Sequence, residues 1–309
     1  MILTCGLSPA WQHILVVDGL LPGDVNRAAE VHWCASGKVL NAAIAIAHLD
    51  GCGHVVSVLG GPRRADIERE FESRELETTW IGCNSPTRVC TTIIDSGGGM
   101  ATELVENAGE LNETEWRAFE ATCRDAAGAS DLVLMMGSIP RGVPPGIYRE
   151  ILQGTRGRAV LDLCGEELLE AIKAGPFLIK PNHAELERTL GRELEDEGGT
   201  LSAMLSLNDL GAAWVVVTSG AGPTLATSAG KSFRFLPPSV DRVNSIGCGD
   251  CMSGALAVAL EEGGDPLAAI RFGMGAAADN LGQVLMGRLD RGRVEEFAGQ
   301  VRIEEIPPA

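Results

Sequence analysis

Two glycines, Gly247 and Gly249, flank Cys248, Asp250 follows them, and an apolar run from Ala255 to Leu260 comes next. This is the pattern of a tight turn opening a helix. Glycine lets main-chain N–H groups converge with no side chain in the way, and a helix N terminus adds partial positive charge. Such a turn holds an anion, or negative charge that develops during a reaction. An aspartate at its mouth can take a proton from a hydroxyl. A cradle for spreading charge and a base beside the attacking oxygen are what phosphoryl transfer requires. Two plainer readings of the same residues stay open. One is a turn with Asp250 as a helix cap. The other is a redox or metal pair made by Cys248 and Cys251, although no second cysteine pair or suitably spaced histidine lies nearby.

Three further stretches carry polar groups at element ends. Ser36-Gly37-Lys38-Val39-Leu40-Asn41 precedes an Ala/Ile-rich run, so its amides, lysine and asparagine could grip a polar ligand. It is not a P-loop, because the Gly-x-x-x-x-Gly-Lys-Ser/Thr spacing is absent. Lys180-Pro181-Asn182 follows a short apolar run, and Glu185 stands three residues beyond Asn182. That spacing lets both side chains face one point, which suits Mg²⁺ with its preference for few protein ligands, waters and phosphate oxygens. It equally makes a capping pair, and the two roles are compatible. Thr218-Ser219-Gly220-Ala221-Gly222 ends the apolar run Val215–Val217, where open α/β sheets bind ligands.

These groups need elements to position them. Short β-like runs alternate with helix-like ones, which predicts α/β architecture with a largely parallel sheet and helices on both faces. Expected strands are Met1–Cys5, His54–Leu59, Leu132–Met136, Ala159–Leu163, Phe177–Ile179 and Trp214–Thr218. Expected helices are Lys38–Leu49, Glu113–Ala127 behind an Asn112/Glu115 capping box, Asp250–Glu261, Pro266–Leu281 and Val294–Gln300. Two segments, about residues 11–34 and 87–106, are β-rich without a helix of their own, and Ser96-Gly-Gly-Gly99 reads as a hairpin. A small projecting sheet is expected there, serving as a lid, a dimer clasp or both.

The 309 residues suffice for one large α/β domain, residues 1–309, and the 45% apolar fraction is that of a chain with a full core. No apolar run is long enough to span a bilayer, and the start lacks a signal-peptide pattern. Nine scattered cysteines suit reduced thiols, so a cytoplasmic location is expected. The formal charge of −17 argues against nucleic acid or an anionic membrane as partner, while leaving room for a small anionic substrate beside a few concentrated basic residues.

Taken in order from Ile2 to about Gly287, these elements resemble the ribokinase-like carbohydrate kinases of the PfkB family. The resemblance is to its sugar-phosphate branch of 1-phosphofructokinases and tagatose-6-phosphate kinases. It rests on Ser8-Pro9-Ala10, Val25-Asn26-Arg27, Gly37-Lys38 with Asn41, Pro86-Thr87-Arg88 and Thr102-Glu103. It continues through Gly137-Ser138-Ile139-Pro140-Arg141-Gly142, Lys180-Pro181-Asn182 with Glu185, and Gly247-Cys248-Gly249-Asp250. The implied fold is a three-layer α/β/α sandwich with a β-sheet lid, and the implied activity is ATP- and Mg²⁺-dependent phosphorylation of a sugar phosphate. In that likeness Asp250 is the base, and the amides of Gly247, Cys248 and Gly249 form the anion hole. Lys180, Ser219, Gly220 and Gly222 lie along the nucleotide, and Asn182 with Glu185 organises hydrated Mg²⁺. Gln12, Gly37, Lys38 and Asn41 line the sugar site. Arg27, Arg88 and Ser138 hold its existing phosphate, Arg27 acting across a homodimer made through the lid.

The chain departs from the family pattern at Gln12, where an aspartate is usual, and at Ser36, Val39 and Cys90. All four fall on the sugar side, and a glutamine can donate as well as accept. Two alternatives follow: a kinase for an unphosphorylated sugar or nucleoside, and a catalytically silent sugar-phosphate-binding regulator. A nicotinamide dehydrogenase is disfavoured, because no Gly-x-Gly-x-x-Gly follows the first strand.

Overall fold

The computed structural model describes residues 1–307. Its first strands are β1 (Ile2–Gly6), β2 (Ala10–Val17), β3 (Glu30–Ser36), β4 (Gly53–Leu59), β5 (Leu76–Gly82), β6 (Arg88–Asp95) and β7 (Met100–Val105). Then come β8 (Leu132–Met136), β9 (Arg158–Asp162), β10 (Leu178–Ile179), β11 (Trp214–Val217), β12 (Thr224–Ser228), β13 (Lys231–Leu236) and β14 (Arg302–Ile306). Ten of them make one sheet in the order β14-β13-β12-β11-β10-β9-β8-β1-β4-β5.

From β11 to β5 neighbours run parallel, whereas β12, β13 and β14 add on antiparallel. The expected parallel sheet is therefore its centre, and the whole is mixed. A local cause is visible between β12 and β13: Ala229 and Gly230 both have positive φ (49° and 76°), the backbone of a tight hairpin that forbids a crossover.

The central strands are apolar on both faces because helices cover both. Leu3, Val133, Leu161, Ile179 and Val215 point into one core with Phe119, Tyr148, Leu186 and Met204. Their neighbours Ile2, Leu134, Val160, Leu178 and Val216 point into the other, with Ile46, Leu256, Ile270 and Val294. This is the expected three-layer sandwich. Helix Lys38–His48 packs against Cys248–Glu261 so closely that a Cβ at Gly254 would stand 2.7 Å from the Ala42 carbonyl oxygen.

Helix Glu113–Gly128 begins with the expected Asn112/Glu115 capping box. Two helix starts shift: the helix expected from Asp250 starts at Cys248, and the one expected from Val294 starts at Arg291, where the Asp290 carboxylate accepts from Arg293 N at 2.9 Å. No helix among the described residues is long and apolar enough to cross a membrane.

The four remaining strands form a second sheet, β3-β2-β6-β7, with β2 and β6 parallel and both outer pairs antiparallel. Its pleat separates two kinds of residue. Gln12, Ile14, Cys34, Cys90, Ile94 and Glu103 share the face toward the main sheet, while His13, Val31, Trp33, Met100 and Leu104 share the other. On that outer face Val31, Trp33, Met100 and Leu104 are exposed, and His13 stacks on Trp33 at 3.9 Å.

Candidate active site

Between the two sheets, beyond the carboxyl ends of the central strands, lies a cleft of about 370 Å³. A wider groove of about 750 Å³, among Ser130, Arg156 and Phe177, carries none of the groups singled out above. The cleft is where the chemistry collects.

Besides the helix behind Asn182, two helices point their N termini into it: Lys38–His48, preceded by Gly37, and Cys248–Glu261, preceded by Gly247. Neither has a side-chain cap, although the helices behind Asn112, Asn182, Asp196, Asp265 and Asp290 do. The first main-chain N–H groups of an α-helix have no partner within it, so both ends offer donors and positive potential. Gly247 has φ 77°, and a Cβ there would sit 2.8 Å from Met286 Cγ, so both backbone and space demand glycine.

Asp250, in the first turn of its helix, is nearly buried, and Asn41 Nδ2 donates to its Oδ2 at 2.8 Å. Burial pushes the Asp250 carboxyl above the ordinary carboxylate range, with Lys38 opposing and the Asp162 charge adding to the shift. The other amide atom, Asn41 Oδ1, is buried without a partner. A hydrogen-bond acceptor in that position is expensive to leave unpaired, so it suits an incoming hydroxyl.

Asp162, at the carboxyl end of β9, was not among the expected site residues and is the hub of the floor. Its Oδ1 accepts from Lys38 Nζ at 2.6 Å, and its Oδ2 accepts from Lys180 Nζ at 2.9 Å and Ser253 Oγ at 2.8 Å. Burial works against its ionisation, but Lys180 and Lys38 hold the carboxyl well below the usual carboxylate range. Lys38 also donates to Glu185 Oε1 at 2.8 Å. Burial alone would lower the Lys38 pKa; Asp162, Glu185 and Asp250 raise it instead. The one sequence signal for Asp162 was an acid closing an apolar strand on the side where such sheets bind ligands.

Asn182 and Glu185 form a complete capping box: Asn182 Oδ1 accepts from Glu185 N, and Glu185 Oε2 accepts from Asn182 N, both at 2.9 Å. No cluster of three His, Cys, Asp or Glu side chains fit to hold a metal directly occurs among the described residues. Each Glu185 oxygen has one protein donor and keeps a second lone pair. The set therefore fits an ion held through water and phosphate oxygens, as Mg²⁺ commonly is.

On the second-sheet side, Gln12, Arg88, Cys90 and Glu103 line the cleft. Gln12 is buried, and its Nε2 donates to Thr92 Oγ1 at 2.7 Å. Arg88 donates to the carbonyl oxygens of Ser8 (3.0 Å), Pro9 (3.4 Å) and Glu106 (3.1 Å), tying the sheet to the body. Partial burial and the Asp250 charge push the Glu103 carboxyl up.

Several expected residues stand apart. Arg27 is exposed in the β2–β3 connection and does not reach this cleft. Ser138, Ser219 and Gly220 are exposed and Gly222 half-buried; none lines the cleft, although Thr218, beside Ser219, does. The Cys248 side chain turns away: its Sγ accepts from Asn280 Nδ2 at 3.3 Å, while Cys251 Sγ donates to Asn280 Oδ1 at 3.2 Å. Burial pushes the Cys248 thiol up to about 11, which leaves it inert at neutral pH.

Residues 4–285 match the family model described as pfkB family carbohydrate kinase. Among curated relatives, a 1-phosphofructokinase from Escherichia coli (strain K12) is 27% identical over 97% of each chain. A D-tagatose-1-phosphate kinase from Klebsiella oxytoca is also 27% identical, over 99% of this chain and 100% of that one. A solved structure of a possible 1-phosphofructokinase from Thermotoga maritima superposes with a TM-score of 0.91 at 18% identity, covering 99% of both chains. At that identity the likeness speaks for the fold.

Proposed function

The chain belongs to the pfkB family of carbohydrate kinases, and from that premise we propose that it transfers a phosphoryl group from ATP to a hydroxyl of a ketose phosphate. The observation that carries the reading is the buried Asn41–Asp250 pair standing beside the uncapped helix end at Gly247. Asp250 takes the proton of the attacking hydroxyl, and its raised affinity for a proton suits a base that must accept one during the reaction. Asn41 orients the carboxylate through Nδ2 and accepts a second substrate hydroxyl through its unpaired Oδ1. The amides of Gly247, Cys248 and Gly249 face the charge that develops on the moving group.

Lys38, expected at the sugar, shares Asp162 with Lys180 and donates to Glu185, so both lysines supply positive potential toward the ATP phosphates. Mg²⁺, held through water by Asn182 and Glu185, would neutralise phosphate charge there. Ser219, Gly220 and Gly222 border the nucleotide from the turn after β11. The second sheet acts as a lid over the sugar, with Gln12, Gly37 and Arg88 facing it and Ser138 near its phosphate. The exposed outer face of Val31, Trp33, Met100 and Leu104 supports pairing of two lids in a homodimer, and Arg27 then serves the neighbouring site.

The relatives' names favour fructose 1-phosphate and tagatose 1-phosphate as acceptors to try, with fructose 6-phosphate and tagatose 6-phosphate beside them. ATP consumption against that panel, with the free sugars beside it, tests the proposal. Turnover with one phosphorylated ketose is the expected result; silence on all of them would refute it. A second reading, a kinase for an unphosphorylated acceptor, is favoured by Arg88 spending three donors on carbonyl groups. In that case Arg88→Ala and Arg27→Ala leave the acceptor KM unchanged, whereas a phosphate-holding Arg88 raises it far more than the KM for ATP.

A further inference from the structure

Glu70, on helix Arg64–Glu72, takes part in none of the chemistry above yet touches both halves of the cleft's support. Its Oε2 accepts from Ala35 N at 2.6 Å. Ala35 lies on β3, an outer strand of the lid, just before Ser36, Gly37 and Lys38. Its other oxygen, Oε1, accepts from Arg74 Nη2 at 2.9 Å and from Arg288 Nη2 at 2.7 Å. A single carboxylate thus ties the root of the lid to the loop that carries Arg288.

That loop is the buttress of the Gly247 turn. Met286 lies against Gly247, and Gly287 N donates to Asn280 Oδ1 at 2.9 Å. Asn280 Nδ2 in turn donates to the Ile246 carbonyl oxygen at 3.1 Å, and Asn244 Nδ2 donates to that of Val284 at 3.0 Å. An apolar joint runs parallel to the polar one: Ile14, Cys34 and Ile94 from the inner face of the lid bury Met286, with Ile246 and Val284 packed against them. Both connections run through the loop at 284–288 and join the lid to the turn that holds the developing charge.

We propose that Glu70 is a positioning residue that couples the lid to the Gly247 turn, so that nucleotide binding at the turn is felt at the lid root. The inference rests on the kinase reading. Arg288 is the specific link, because Glu70 with Arg74 alone would hold β3 without reaching the loop. Two sites are energetically coupled when both bias one element, and a lid root clamped to the buttress loop is placed to be that element.

The experiment is amide hydrogen exchange of residues 30–36 with and without the ATP analogue AMP-PNP and Mg²⁺, on the full chain. In the wild type the nucleotide should slow exchange there severalfold. In Glu70→Gln the segment should exchange faster at rest, and the nucleotide effect should fall severalfold although AMP-PNP still binds. Arg288→Met keeps Glu70 on Ala35 N and should cut the nucleotide effect to the part the apolar joint carries, without the faster resting exchange, a split that a purely structural role would not produce. A nucleotide effect of wild-type size in folded Arg288→Met protein overturns the coupling while leaving the kinase reading intact. Absence of AMP-PNP binding by the wild type overturns the kinase reading, and the inference with it.

Discussion

Replacing Asp250 by asparagine separates catalysis from stability in opposite directions. The substitution keeps the size of the side chain and an oxygen that can accept from Asn41 Nδ2, which in the wild type reaches Asp250 Oδ2 at 2.8 Å. What disappears is the proton acceptor. Loss of a general base costs roughly 10²–10⁴ in turnover, or about 2.7–5.4 kcal/mol of transition-state stabilisation. The upper half of that range is expected, because Asp162 is tied to both lysines and cannot stand in. Stability moves the other way. The folded-state pKa of Asp250 is raised from 3.8 by burial. A carboxyl raised on folding stabilises the protein below its unfolded value, and that contribution is lost as the pH rises through the folded value. At pH 7.5 the wild type therefore carries a buried charge that Asp250→Asn removes. The variant should melt no lower than the wild type at pH 7.5, and its advantage should shrink as the pH falls through the raised folded value toward 3.8, below which it changes no further. Steady-state ADP release gives kcat, and calorimetry across pH gives stability. A kcat within tenfold of the wild type would refute the role of Asp250; a lower melting point at pH 7.5 would refute the account of its burial.

Asn41→Ala removes the hydrogen bond that lowers the Asp250 pKa, so the acid limb of the pH profile of kcat/KM should shift upward; an unmoved limb would detach Asn41 from the base. Asp162→Ala leaves Lys38 and Lys180 together without their shared carboxylate, and should cost about 3–5 kcal/mol in urea denaturation. Because the Asp162 carboxyl is held below 3.8 in the fold, that penalty should be full at neutral pH and shrink only as the pH falls below 3.8. Gly247→Ala forces a Cβ onto a backbone with φ 77° and within 2.8 Å of Met286, so backbone strain of about 1–2 kcal/mol and a fall in kcat should appear together. A fully active Gly247→Ala enzyme would mean that the turn does not hold the reacting group.

Local signals were legible where chemistry and backbone conformation are set by adjacent residues. The capping boxes at Asn112 and Asn182, the Gly247 turn and the hairpin near Ser96 all act within a few positions, and each forms where the residues imply. Central strands announced themselves as continuous apolar runs because both faces are covered. The three antiparallel edge strands and the helix starts at Cys248 and Arg291 did not, since short strands and helix ends depend on what packs beside them.

By itself the sequence determined the alternation of central strands with helices, the glycine turn with its acid, the Asn182/Glu185 pair and the β-rich segments of the lid. All of these rest on interactions between near neighbours in the chain. Only the tertiary structure decided that Asp162 anchors Lys38 and Lys180, that Asn41 holds Asp250, and that Arg27 lies outside the cleft while Arg88 braces the lid. Asn41 and Asp250 are 209 residues apart, and Lys38 and Asp162 are 124 apart. No local pattern records such a meeting, because it is the parallel stacking of distant strands, driven by burial of their apolar faces, that brings their carboxyl ends to one place.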